Sequence, residues 1–379
     1  MKNILHLCFD GNFLDNTSAV FEHFYPGRNT FCVINRGYTK GRMQEMKDAI
    51  WLEGRYPDPS LLEDICKKRQ IDTIILHGLN PRYCKALPVL SAGHTRRIFW
   101  IFHGFELYYA LGEKGLWQGV DNESFFSIES WISPTRYNYF LRKLMGKTLY
   151  YDSIVKSLPW IDYFCFWLKE DYDLLLSHFP TNIRFRQFQY KARYRNEEHG
   201  TDPIDFDKDS NTIRINHSAS KTGNHDTVMR LIAQIDHENV LRKEVPLSYG
   251  SPFIRKNVIK MGRKLFGEQF VPLLDYISFD DYLHSLSKVG VALFGHRRQE
   301  ATGNISLLLK LGAKVFLRES NPLLPFYRRR GYHIFSIESD LKSMDDLRPL
   351  THEQMQHNAD TATRNRVYYE DFMPHLLDE

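Results

Sequence analysis

The chain has 379 residues with a formal net charge of +4, 42% hydrophobic and 14% aromatic residues. That is enough apolar material for two packed domains, and too weak a positive balance to suggest nucleic-acid binding. No run approaches the roughly 20 apolar residues that a membrane-spanning helix needs. The N-terminal MKNILHLCFDGNF is too short and lacks the cleavage site of a signal peptide, so the expectation is cytoplasmic.

In chain order, NILHLCF (3–9) and TFCVIN (30–35) read as strands, LLEDICKKR (61–69) as a helix, and IDTIILHG (71–78) and RRIFWIFHG (96–104) as further strands. The aromatic stretch 105–160 is irregular, and IDYFCFW (161–167) is a later strand. Continuous apolar strands separated by helices predict a buried parallel sheet. The polar, unperiodic NEEHGTDPIDFDKDSN (196–211) is the best domain boundary. The alternation then restarts: TIRIN is a strand, 224–236 a helix, VPLSYG a strand end, about 253–265 a helix, and FVPLL a strand. FDDYLHSLSKV, GVALFG, NISLLLKLG, KVFL and YHIFSI continue the series, and a last helix runs through 352–370. The fold class is α/β, with two Rossmann-like doubly wound domains facing a cleft. The domains are expected over 1–200 and 201–350, with 351–379 a C-terminal helix that returns to the first.

The cysteines Cys8, Cys32, Cys66, Cys84 and Cys165 are odd in number and show no CxxC spacing. They argue for a reducing compartment and against a disulfide framework. Metal ligation is not expected, since there is no HxxxH and no Cys/His cluster. Between Arg136 and Arg195, eleven basic side chains face five acidic ones. A basic, aromatic segment of this kind suits an anionic membrane surface or a partner protein.

Two polar turns carry the chemistry. INHSASKTGNHDTVMRLI (215–232) places Ser218, Ser220, Lys221, Thr222, Asn224 and His225 between a strand and a helix. It reads either as a capped helix start or as a cradle for an anion, whose charge the free N–H groups of the helix would meet. EATGNISLLLKLG (300–312) repeats the arrangement with Glu300, Gly303 and Asn304, after Arg297 and Arg298. Gly303 permits close approach or positive φ, Glu300 is placed for a sugar hydroxyl, and the arginines for phosphate. Tyr249, after a strand, either stacks on a base or packs. No GxGxxG, P-loop or GxSxG is present. In the first half, ILHG and WIFHGFELYY end strands on His77-Gly78 and His103-Gly104, followed by Glu106 and Tyr108. Imidazole and carboxylate at strand ends suit acid–base work. Asp280 and Asp281 fit the first turn of a helix.

These motifs together resemble the TDP-N-acetylfucosamine:lipid II N-acetylfucosaminyltransferases of enterobacterial common antigen synthesis, glycosyltransferase family 56. His77 and Gly78 match a strand-His-Gly ending, and Trp100, Gly104, Leu107 and Tyr108 match a Trp-Gly-Leu-Tyr pattern. Ser218, Asn224 and His225 match a strand–helix turn, and Phe279, Asp280, Tyr282 and Leu283 match Phe-Asp-x-Tyr-Leu. Arg298, Gln299, Gly303, Leu307, Leu308, Asn321 and Pro322 match an Arg-Gln…Gly…Leu-Leu…Asn-Pro stretch. Glu106 stands where the family motif has Asp, and His217 where it has Asn.

The resemblance implies a metal-independent GT-B hexosyltransferase with no cofactor, moving a 4-acetamido-4,6-dideoxyhexose from a TDP-sugar to a polyprenyl-diphosphate-linked or other glycan acceptor. It implies a donor site at Ser218, Ser220, Lys221, Asn224, His225, Tyr249, Arg298, Glu300, Gly303 and Asn304. The acceptor would meet Gly78, Gly104 and Tyr108, with Glu106 as base and His103 and His77 as rivals. The enzyme would sit peripherally at the inner face of the bacterial inner membrane. Other readings are a UDP- or GDP-sugar donor, a GT-B epimerase or phosphorylase, and a non-catalytic nucleotide-sugar-binding partner of a polysaccharide assembly complex.

Overall fold

The computed structural model describes residues 3–9, 14–34, 49–52, 57–91, 93, 96–122, 143–146, 149–190 and 206–378. It divides into two compact units, 1–117 with 135–196 and 367–379, and 118–134 with 197–366.

The first unit is built on seven parallel strands: β1 (Asn3–Phe9), β2 (Asn29–Ile34), β3 (Ile50–Leu52), β4 (Ile71–His77), β5 (Arg97–Ile101), β6 (Tyr163–Phe166) and β7 (Arg184–Gln187), in the order β3-β2-β1-β4-β5-β6-β7. Helices α1 (Leu14–Phe24), α2 (Pro59–Arg69), α3 (Leu87–Ser91), α4 (Glu106–Glu113), α5 (Tyr150–Ser157) and α6 (Lys169–His178) connect them. The central strands are largely apolar because both faces are covered: β4 is buried at every residue but Asp72. Helix starts follow local chemistry. Asp58 accepts the Ser60 N–H at 2.9 Å just ahead of Pro59, whose fixed φ suits the first helical position.

The second unit repeats the plan with β8 (Asp209–Ile215), β9 (Arg242–Pro246), β10 (Phe270–Leu273), β11 (Val289–Phe294), β12 (Lys314–Leu317) and β13 (Phe335–Ser336), all parallel, in the order β10-β9-β8-β11-β12-β13. Its helices are α7 (His225–Ile235), α8 (Pro252–Phe266), α9 (Phe279–Ser287), α10 (Thr302–Lys310), α11 (Leu323–Arg329), α12 (Ile337–Asp340) and α13 (His352–Arg364). Ser278 accepts the Asp281 N–H at 3.1 Å, so the acids of α9 are first-turn residues as the sequence suggested.

The terminal helix differs from expectation. It ends at Arg364 and belongs to the second unit; only Val367–Glu379 joins the first. There Phe372, Met373, Leu376 and Leu377 complete the core around Phe21, Tyr25 and Phe188, because short 3-10 turns present apolar side chains that the polar α13 lacks. All five cysteines are buried free thiols. Among the described residues, no helix is long and apolar enough to cross a membrane.

In both sheets the strand order reverses beside the first strand, between β1 and β4 and between β8 and β11. Open α/β sheets bind ligands beyond the strand C-termini at that switch point, where the connections run off in opposite directions and leave a crevice.

Candidate active site

The second unit's switch point is formed by the turns 216–224 and 295–301. Asn216 ties them together: its Nδ2 donates to the Gly223 carbonyl at 2.9 Å and its Oδ1 accepts the Gly295 N–H at 2.9 Å. A Cβ at Gly295 would stand 2.2 Å from the Gly223 carbonyl oxygen, so only glycine allows this approach. Three of the five non-glycine residues with positive φ among the described residues lie in these turns: Asn216 (59°), Asn224 (48°) and Ala301 (60°). Asparagine tolerates that conformation, but alanine is strained by about 1 kcal/mol. Gly303, read as permitting close approach or positive φ, lies exposed inside α10 with nothing within 4 Å of an added Cβ, and Ala301 holds the left-handed position instead.

Glu300 is the hub. It accepts the Thr222 hydroxyl at 2.6 Å, the Ser220 hydroxyl at 3.3 Å and Arg298 Nε at 2.7 Å, while His296 Nε2 lies 3.4 Å away. Both turns are thus locked into one polar surface. Thr222 therefore does not cap α7, and Asn224, at the cap position, makes no capping bond either. No side chain caps α10. The capping alternative for Thr222 and Asn224 is set aside on that geometry.

Asn224 is fully buried, donating to the carbonyls of Gly119 (3.1 Å) and Gly295 (2.8 Å) and accepting the Asp121 N–H (2.9 Å). Its place in a donor contact set is corrected to that of a strut. Asp121, 1% exposed, in turn takes Arg297 Nε at 2.7 Å, Arg318 Nη2 at 2.8 Å and the Thr227 hydroxyl at 2.6 Å. Arg297, read as a phosphate neutraliser, is thus engaged by a carboxylate. Asn304 accepts the Tyr282 hydroxyl at 2.6 Å. Ser218 is buried with its hydroxyl 3.4 Å from His217 Nε2; Lys221 is half-buried; Tyr249 is exposed, its ring 5.9 Å from that of His217.

Three imidazoles underlie the turns. Burial depresses His217 to about 4 and His225 to about 3, and holds His296 well below the usual range. Among the described residues, Nδ1 of His217 and Nδ1 of His296 find no hydrogen-bond partner. His225 and His296 are closed off by burial, so of these three rings partly exposed His217, neutral and donor-capable, is the one an added anion meets, and at the uncapped start of α10 no side chain competes with it.

The first unit's predicted residues gather behind β4 and β5. Glu106 opens α4 with no exposure at all. Its carboxylate accepts the N–H groups of Leu79 (3.1 Å), His103 (3.2 Å) and Phe105 (3.2 Å), and Trp100 Nε1 at 3.5 Å. Burial lifts it to about 7, against the lowering by those N–H groups. A base must reach substrate. Glu106 instead pins the loops after β4 and β5, with Gly78 (φ 81°) and Gly104 (φ 89°) making the turns around it. Tyr108 is also corrected: it is buried, donating to Asp171 at 2.5 Å, and so is not an acceptor contact. His77 is 5% exposed with both ring nitrogens engaged, by His6 and Tyr190. His103 alone of the three base candidates is exposed. Sequence reasoning missed Asn216, Asp121, His6 and Tyr190, whose partners are distant along the chain.

Solved structures share this architecture at low identity. A glycosyltransferase from Rickettsia africae is 10% identical with a TM-score of 0.55, over 96% of this chain and 94% of that one. Sucrose-phosphate synthase from Thermosynechococcus elongatus is 9% identical, TM-score 0.58, over 98% and 96%. WaaG, a glycosyltransferase involved in lipopolysaccharide biosynthesis, is 8% identical, TM-score 0.56, over 99% and 100%. The fold is that of the GT-B glycosyltransferases. No curated protein matches in sequence. The profile of the 4-alpha-L-fucosyltransferase family, glycosyl transferase group 56, matches residues 134–357, and the chain belongs to that family. It is a hexosyltransferase. Among the described residues, no group of three or more His, Cys, Asp or Glu is arranged to hold a metal ion.

Proposed function

We propose that the chain transfers a 4-acetamido-4,6-dideoxyhexose from a TDP-linked donor to a polyprenyl-diphosphate-linked glycan in bacterial surface polysaccharide synthesis. One observation carries the reading: the family span 134–357 contains both polar turns of the second unit.

The donor diphosphate lies at the uncapped start of α10. Lys221 neutralises it, and partly exposed His217 donates to its oxygens, in place of a metal ion. Glu300 holds a hydroxyl of the ribose or sugar. As the glycosidic bond to the diphosphate breaks, its electron pair leaves with the diphosphate and these donors meet the charge. The first unit binds the acceptor, with exposed His103 as general base in place of Glu106.

The basic segment 136–195 holds the enzyme at the inner face of the membrane. Arg184 and Arg186 there lie over the Tyr163 ring and Lys169 pairs with Asp173 at 2.7 Å, so the lipid contacts fall to its other cations. Arg136, Arg142, Lys147, Lys191, Arg193 and Arg195 lie outside the described residues. Flotation with anionic liposomes tests this: binding at low salt is expected, and its absence there removes the membrane role.

A transfer assay with TDP-, UDP- and GDP-sugars and a polyprenyl-diphosphate glycan, read by nucleoside diphosphate release, tests the reaction. Turnover with the TDP-sugar is expected. Turnover with a UDP- or GDP-sugar alone moves the donor, and nucleotide binding without turnover overturns the transferase reading.

A further inference from the structure

A hydrogen-bonded chain of rings runs outward through the first unit, and the direction of every proton in it follows from its inner end. Asn29 Nδ2 sits 2.7 Å from the Tyr25 carbonyl, 3.2 Å from the Phe21 carbonyl and 2.7 Å from Glu22 Oε2. All are acceptors, which identifies the amide nitrogen and leaves Oδ1 to accept from His6 Nε2 at 3.0 Å. His6 is fully buried and held neutral, with a pKa depressed to about 3 by that burial. With its proton on Nε2, Nδ1 accepts from His77 Nε2 at 3.0 Å. Burial, and the neighbouring His6 and His103 rings, keep His77 neutral as well, so its Nδ1 accepts the Tyr190 hydroxyl at 2.7 Å. Burial raises Tyr190 well above the usual phenol range, so it keeps that proton. Its oxygen then has only lone pairs to offer His103 Nε2, 3.3 Å away.

We propose that His6, His77 and Tyr190 are positioning residues, anchored by Asn29, that fix exposed His103 as its Nε2–H tautomer and so present Nδ1 as the proton acceptor. Nδ1 lies beside Gly78, where an added Cβ would stand 3.5 Å from it, an ordinary van der Waals contact. The role of Nδ1 rests on the glycosyl-transfer reading; the order of protons does not. In the step, the acceptor hydroxyl oxygen bonds to the donor's anomeric carbon and its proton passes to Nδ1. The bond to the diphosphate breaks with its electron pair, and the imidazolium later returns the proton to water.

Two measurements test this. In 15N-histidine NMR at pH 7.5, His6 and His77 should both be neutral with protonated Nε2; the opposite tautomer at either overturns the chain. In kinetics, Tyr190→Phe removes the acceptor of His103 Nε2 and leaves His77 Nδ1 without its donor, and kcat falls ~10-fold. His77→Phe frees the Tyr190 hydroxyl to donate to His103 Nε2, which moves the ring proton to Nδ1 and blocks the base; kcat falls ~100-fold with KM unchanged, the scale of general-base catalysis. The double variant should recover to the Tyr190→Phe rate. Losses that add contradict the tautomer mechanism and leave a packing role. Should His77→Phe not fold, the wild-type spectrum decides. The expected tautomers without turnover by wild type would uphold the chain and refute the transfer reading.

Discussion

The Thr222 hydroxyl and the Glu300 carboxylate, 78 residues apart, meet at 2.6 Å and join the turns that end β8 and β11. Hydrogen bonds to a charged acceptor contribute about 1.5–3 kcal/mol. Thr222→Val is expected to weaken nucleotide binding by about 10-fold, with a loss of stability of about 1–2 kcal/mol. Calorimetric titration beside urea denaturation separates the two. Unchanged affinity would remove Glu300 from the donor site.

Within the second unit, Asp121 binds Arg297, Arg318 and Thr227. Removing one partner of a buried ion pair leaves the other charge unpaired. Asp121→Ala should cost about 3 kcal/mol, the low end for buried pairs because Arg297 is partly exposed. Denaturant unfolding followed by tryptophan fluorescence reads it, and a loss below about 1 kcal/mol would show the cluster to be a surface ornament of the fold.

The pH dependence follows from the imidazoles. His217 (about 4) and His225 (about 3) have folded pKa values below the unfolded 6.5, so the unfolded chain binds more protons between them. Their contribution to stability is complete above pH 6.5 and is lost as pH falls toward 4 and then 3. Melting temperature should drop steadily from pH 7 to 5. A bound diphosphate favours the charged ring, so binding takes up protons and tightens over the same range. Calorimetry of TDP binding in two buffers of different ionisation enthalpy measures that uptake. Proton release on binding would contradict the placement of the anion against His217.

Glu106→Gln keeps the size of the side chain but turns an amide toward N–H groups that need acceptors. We expect a loss of about 2–4 kcal/mol, from the weakened bonds and the unsatisfied donors, and a fall in kcat through displacement of His103. His103→Ala should lower kcat by about 100-fold or more with little change in melting temperature. Equal stability of Glu106→Gln and wild type would reopen the base assignment.

Much of the fold was legible because both sheets are parallel and covered. IILH, IFWI and VALF are apolar runs that can only be central strands, and they match β4, β5 and β11. What escaped is what neighbours decide. RFRQ is charged at alternate positions and pairs as edge strand β7 only because Tyr163 takes Arg184 and Arg186 against its ring. The polar turns were legible as strand–turn–helix punctuation, and the His-Gly strand ends as chemistry. Residue type carried no information on burial, so Glu106, Tyr108 and Asn224 read as ligand contacts though all three are buried. Tyr190 reaches His77 across 113 positions, and Asp121 reaches Arg318 across 197, with no local pattern to announce either.

A thermal-shift panel reads nucleotide binding at the donor site. TDP, UDP, GDP, CDP and ADP would be compared without added metal on wild type and on Glu300→Gln. A stabilisation selective for TDP, weakened in the variant, is the predicted result. No shift with any nucleotide would contradict the account.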